Sequence, residues 1–295
     1  MRRGARASRT ALNHTLTGTL RFHRAVESRF VDDARDIIVY LPPGYNSEPG
    51  TRYPALYLHD GQNLFDAATA FAGNEWGLDE LAERLIQNGE IRPLIIVGIY
   101  NAGEKRIAEY THVRDRRGRG GRAYAYAKML VEELKPFIDS EYRTLPDVAN
   151  TGLGGSSLGG LVTLYLGLHY PQLFGKLIVM SPSVWWANRA ILKETRKLRQ
   201  KSEQKIWLDI GTCEGHDAEE CVKNAQDLRD ALIEKGWQLE RNLRFVEDEG
   251  AGHDEKAWGN RMRDALAFLF PGAGPLTANL RDGGKLIEGS EPLVL

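Results

Sequence analysis

The chain has 295 residues, 42% of them hydrophobic, and its 39 Lys and Arg against 40 Asp and Glu leave a net charge of −1. That balance supplies no global field toward nucleic acid or an anionic membrane, and two cysteines, Cys213 and Cys221, exclude a disulfide scaffold. No stretch is apolar for long enough to span a bilayer, and no apolar run follows the basic start Met1-Arg2-Arg3, so a cytoplasmic protein is expected.

Residues 1–14 are basic and polar and read as a loose arm. Thr15 to Phe22 alternates like a half-buried strand, and Arg35 to Leu41 is a second, stopped by Pro42-Pro43-Gly44. Tyr53 to His59 is a third strand, and Trp76 to Gln87 has helical spacing. Pro93 to Ile99 is continuously apolar, as expected of a parallel strand covered on both faces. A basic loop from Tyr100 to Arg122 leads into a helix from Tyr124 to Ile138. A short strand over Val148–Leu153 precedes Gly154-Gly155-Ser156-Ser157-Leu158-Gly159-Gly160, and an apolar helix follows. Further strands are expected at Gly175–Ser181, Lys205–Gly211 and Asn242–Glu247, with helices at Ile191–Lys201, Ala218–Lys235 and Asp254–Phe270. Residues 273–295 read as a tail. The alternation implies a mostly parallel sheet with helices on both faces and antiparallel edge strands at the N-terminus. Residues 15–272 then form a single domain.

Gly155-x-Ser157-x-Gly159 matches the nucleophile elbow, a sharp strand-to-helix turn that exposes a serine hydroxyl. Ser156 is out of frame, because Leu158 stands where the second glycine is needed. A serine hydroxyl needs an adjacent base, usually histidine, which a carboxylate orients. In chain order the acid and then the histidine should follow the serine on loops after strands. The loop after the last strand carries His253, and the loop before it reads Gly211-Thr212-Cys213-Glu214-Gly215-His216-Asp217. Glu214 is favoured as the acid because it lies nearer the strand end, where its position is better fixed. Asp217 is the alternative, with capping of the next helix as its structural role. Cys213, His216 and Cys221 lack the spacing of a metal site, so no metal and no cofactor is implied. The backbone N–H of Leu158 is one expected oxyanion donor, and that of Gln62 or Gly61, after the third strand, is the second.

Several segments together resemble the Putative esterase family of α/β-hydrolases, which includes enterochelin esterases, feruloyl esterases and esterase D. They are Tyr57-Leu58-His59-Asp60-Gly61-Gln62-Asn63-Leu64-Phe65, Val97 to Asn101 with Arg106 and Glu109-Tyr110, and Glu133 to Asp139. Gly155 to Leu161, Ser181-Pro182-Ser183-Val184-Trp185-Trp186 and Gly252-His253-Asp254 complete the set, which covers roughly residues 30–270. The resemblance implies an α/β-hydrolase fold and a Ser157, Glu214, His253 triad.

About two dozen residues separate the strand at Ser181 from the one at Lys205, one connection of ordinary length, so no large lid is expected. Ser183, Trp185 and Trp186 follow that strand beside the elbow and are candidates for substrate contact, with one tryptophan lining the pocket and the other in the core. Arg106 and Glu109 could pair with each other near the cleft in a structural role, and both are candidates for substrate contact. The function these residues suggest is a serine carboxylesterase acting on a small-molecule ester, without nucleic acid or membrane partners. An acyltransferase would use the same triad, and a binding module on a hydrolase scaffold would lose it. Nothing in the pattern bears on oligomeric state.

Overall fold

A computed structural model describes residues 13–199 and 201–273. Eight strands form one sheet: β1 Thr19–Val26, β2 Arg35–Leu41, β3 Ala55–His59, β4 Ile95–Ile99, β5 Thr151–Ser156, β6 Lys176–Met180, β7 Lys205–Gly211 and β8 Leu243–Asp248. Their order is β1-β2-β4-β3-β5-β6-β7-β8. The β1–β2 and β2–β4 pairs are antiparallel, and every later pair, from β4–β3 to β7–β8, is parallel. The antiparallel N-terminal edge is therefore as expected.

Successive side chains of the central strands point to opposite faces. Ala55 and Tyr57 of β3 join one core with Val39, Val97, Leu153 and Val179. Leu56 and Leu58 join a second with Ile38, Ile96, Ile178 and Met180. The second core packs on α1 (Leu78–Gln87) and α8 (Glu255–Leu269). The first is covered by α3 (Ala123–Lys128), α4 (Lys135–Glu141), α5 (Leu158–His169), α6 (Trp186–Lys197) and α7 (Ala218–Glu234), while α2 (Arg106–Glu109) is a single turn. Each fully buried Leu, Ile or Val contributes about 1.5–3 kcal/mol relative to exposure.

Several boundaries differ from the sequence reading, among them the helix expected over Ile191–Lys201, which runs Trp186–Lys197. The first strand begins at Thr19, because residues ahead of it bond to side chains instead. His14 Nδ1 lies 2.7 Å from Asp66, and the Thr17 N–H donates to Asp79 at 2.7 Å. Val148–Asn150 is a 3-10 turn, which moves β5 on to Thr151–Ser156. The helix expected over Tyr124–Ile138 is interrupted by a π turn, Met129–Leu134, just before Pro136. Proline has no N–H to close an ordinary bond back to Glu132. The expected arm lies outside the described residues apart from Asn13 and His14, and the expected tail does so apart from Ala273. The β6–β7 connection carries α6 and no large lid among the described residues.

Candidate active site

Brought together at the carboxyl ends of the parallel strands are the loops after β3, β5, β6, β7 and β8, the usual crevice of such sheets. Ser157 follows β5, whose neighbours in the sheet are β3 and β6. Its backbone sits at φ 59° and ψ −121°, a strained conformation for a residue with a side chain. Close chain approach makes that turn possible. A Cβ on Gly155 would lie 3.1 Å from the Gly159 carbonyl carbon and from His59 Cβ, so only hydrogen fits without a shift. The Ser157 N–H donates to the Met180 carbonyl at 3.0 Å, fixing the elbow to β6.

His253 Nε2 lies 2.9 Å from Ser157 Oγ, and His253 Nδ1 lies 2.7 Å from Glu214 Oε2. The imidazole is 37% exposed while Glu214 is buried. Its ring edge meets Trp258, at 4.9 Å between centroids and 84° between planes. Glu214 Oε1 accepts from Ser181 Oγ at 2.5 Å and from the Gly211 N–H at 2.7 Å. Gly211 leaves room for this approach, since a Cβ there would meet the Ala251 oxygen at 2.4 Å. The loops carrying Glu214 and His253 are laced together. Cys213 N–H donates to the Ala251 carbonyl at 3.0 Å, and Gly250 N–H donates to Thr212 Oγ1 at 2.8 Å.

Asp217 does not join this group. It is the N-cap of α7, with its side chain accepting from the Glu220 N–H at 3.0 Å. Leu158 opens α5, a twelve-residue helix whose N-terminal dipole favours negative charge nearby. Gly61 and Gln62 lie in a 3-10 turn after β3. Gln62 is held at both ends: Oε1 accepts from the Asn101 N–H at 3.2 Å, and the carbonyl accepts from Thr69 Oγ1 at 2.7 Å. Asn63 ties the same turn to α8, donating to Glu255 at 3.2 Å.

Among the candidate substrate residues, Ser183 is buried with its Oγ 3.4 Å from Ser157 Oγ. Trp185 is 53% exposed, whereas Trp186 is 2% exposed. Trp186 is core rather than pocket wall, and its indole N–H donates to the Val113 carbonyl at 2.8 Å. The expected Arg106–Glu109 pair does not form. Glu109 is buried and takes two bonds from Arg35, at 2.9 and 3.1 Å, which removes it from any substrate. Arg106 instead grips Asp60, a residue at φ 57° in the turn's first position, with two bonds of 2.7 Å. That carboxylate raises the Arg106 pKa although burial works against the cation. Beneath the turn, burial pushes the His59 imidazole down to about 3, so it is neutral and accepts or donates only toward Tyr126 Oη at 2.8 Å.

The sequence reading gave no role to Ser181 and Asp60, which it quoted only within motifs, and missed Arg261 and Trp258. Arg261 had a visible signal. It stands at the core-facing spacing of α8 with Trp258, Met262, Ala265 and Leu266, where a lone cation needs partners.

A family model described as Putative esterase matches residues 28–269. The chain is 29% identical over 265 residues to the uncharacterized protein YbbA of Bacillus subtilis, covering 86% of this chain and 97% of that one. It is 28% identical over 255 residues to the ferri-bacillibactin esterase BesA of the same organism, covering 78% of this chain and 83% of that one. A crystal structure of a BES protein from Bacillus cereus superposes with a TM-score of 0.68 at 22% identity, over 86% of this chain and 96% of that one.

Proposed function

The chain belongs to the Putative esterase family, and from that premise we propose that it is a serine carboxylesterase working through an acyl-enzyme. Ester hydrolysis follows from the family. The serine mechanism is our reading, and the observation that carries it is the contact of His253 Nε2 with Ser157 Oγ at 2.9 Å.

In this reading Ser157 Oγ attacks the ester carbonyl as His253 Nε2 takes its proton. The N–H groups of Leu158 and of Gln62 or Gly61 stabilise the tetrahedral oxyanion. Collapse breaks the bond to the alcohol, which leaves with the proton from Nε2 and gives the Ser157 acyl ester. Water then repeats the sequence, with Nε2 first accepting and then returning the proton, and the carboxylic acid departs. Glu214 keeps Nδ1 protonated and balances the imidazolium that forms. No metal or cofactor takes part in this scheme.

The short β6–β7 connection and exposed Trp185 suit short-chain, aryl or sugar esters in an open cleft rather than long acyl chains. Hydrolysis of short nitrophenyl esters by the wild type and by Ser157→Ala tests the reading. Turnover should vanish to background in the variant, and undiminished turnover would sink the proposal.

A further inference from the structure

Glu214 is held from the far side by a polar cluster that the acyl chemistry above does not use. Ser181, directly after β6, adopts φ 40°, in the left-handed region, and its N–H reaches the Asp209 carbonyl at 3.0 Å and Asp209 Oδ1 at 3.2 Å. Its hydroxyl meets three groups: Arg261 Nη2 at 2.8 Å, Trp258 Nε1 at 2.9 Å and Glu214 Oε1 at 2.5 Å.

These contacts fix the direction of the Ser181 hydrogen bonds. A hydroxyl offers one proton and two lone pairs, while guanidinium and indole N–H groups only donate. Arg261 and Trp258 therefore occupy both lone pairs of Ser181, and its proton goes to Glu214 Oε1. Gly211 N–H donates to the same oxygen at 2.7 Å. Two donors fill Oε1 and leave Oε2 turned to His253 Nδ1 at 2.7 Å, where an ionised carboxylate can only accept, so that Nδ1 carries the imidazole proton. Nε2 is then left with a lone pair directed at the Ser157 hydroxyl.

We propose that Ser181 and Arg261 are positioning residues that hold the Glu214 carboxylate with Oε2 against His253 Nδ1 and thereby keep the imidazole in the tautomer able to act as base. The proposal rests on the reading of Ser157, Glu214 and His253 as the triad, and it deepens that reading by naming what holds the acid. Arg261 is buried and lies among three carboxylates: Asp209 at 3.1 Å, Asp248 at 3.3 Å and Glu214 at 3.6 Å. Burial pushes Asp209 up to about 6 against the opposing pull of Arg261. Removing the cation outright would leave those carboxylates uncompensated, so the informative substitutions keep it or act on the hydroxyl.

The test combines ring nitrogen NMR of His253 in the resting protein with steady-state kinetics on nitrophenyl acetate. The wild type should show a protonated Nδ1 and a bare Nε2. Ser181→Ala should mix the two tautomers and lower kcat by about 10- to 100-fold, less than the roughly 10²–10⁴ that a positioned general base supplies in full. KM should hold. Arg261→Lys keeps a donor-only cation and should retain the wild-type tautomer. A folded Ser181→Ala with wild-type tautomer and kcat overturns the proposal. If Ser181→Ala does not fold, Ser181→Cys, which replaces the hydroxyl by a weak donor, should show the same tautomer mixing, and an unchanged His253 spectrum there overturns it equally. The NMR arm needs no turnover. A wild type that hydrolyses no ester would therefore defeat the esterase reading while this assignment is judged separately.

Discussion

Arg106 and Asp60 are joined by two bonds of 2.7 Å, although one opens α2 beyond β4 and the other lies in the turn after β3. The grip is reinforced on each side. Asn101 donates to Asp60 Oδ1 at 2.7 Å, the Asp60 N–H donates to Tyr110 Oη at 3.2 Å, and the guanidinium stacks 5.1 Å above the Tyr110 ring. Asp60 immediately precedes Gly61 and Gln62, so the pair holds the turn that carries the proposed second oxyanion donor. Arg106→Met should lower kcat by about 10- to 100-fold, less than the 10²–10³ seen when a donor itself is lost. Lysine should rescue poorly, because it cannot supply a bidentate fork. A wild-type kcat in Arg106→Met would show that the loop holds itself.

Glu214 and Asp217 give opposite expectations. Glu214→Gln should reduce kcat by about 10³- to 10⁴-fold, as expected when the imidazole loses its orienting carboxylate. Asp217→Asn should leave kcat near wild type and cost at most about 1 kcal/mol of stability, since asparagine also caps helices. Kinetics and thermal unfolding of the two variants separate them, and an active Glu214→Gln would remove it from the proposed triad.

Much of this site could be read from the sequence, and the limits are instructive. The meeting of Ser157 with His253 at 2.9 Å was legible, because glycine spacing and the order of segments along the chain are visible in the sequence. Arg106 and Glu109 were wrongly paired because three-residue spacing makes them helix neighbours. Each instead found a fixed partner far along the chain, Asp60 and Arg35. Such pairings depend on the sheet order, where β4 lies between β2 and β3, and no local pattern encodes that. Ser181 was quoted only as part of a motif, since a strand-end serine carries no sign of the three groups that converge on it.

The Arg35–Glu109 pair makes a stability prediction. Both side chains are buried, so Glu109→Ala leaves an unpaired buried cation and should cost about 3–5 kcal/mol. KM for small esters should not change at temperatures where the variant is folded. Denaturant unfolding with parallel kinetics checks both statements, and a raised KM in a stable variant would return Glu109 to the substrate site.

Asp79 contributes a pH dependence. Burial, aided by Glu80, pushes its carboxyl up to about 7, against the Thr17 N–H that favours ionisation. The folded state therefore holds a proton that the unfolded chain has lost, and this contribution to stability falls as pH rises from about 4 to about 7. Asp79→Asn cannot ionise and should flatten that slope, with a gain of about 1–3 kcal/mol near pH 8 relative to wild type. Melting curves from pH 4 to pH 8 (approximate limits set by the ordinary and raised pKa values) measure it. An equally steep slope in the variant would place the dependence elsewhere.

The acyl-enzyme itself is the most direct test of the proposed mechanism. Wild-type protein quenched during turnover of nitrophenyl acetate, then weighed intact and after proteolysis, should carry one acetyl group on the peptide containing Ser157. Ser157→Ala should carry none. Steady hydrolysis by the wild type with no acyl adduct at any quench time, or with the adduct on another residue, would contradict the account.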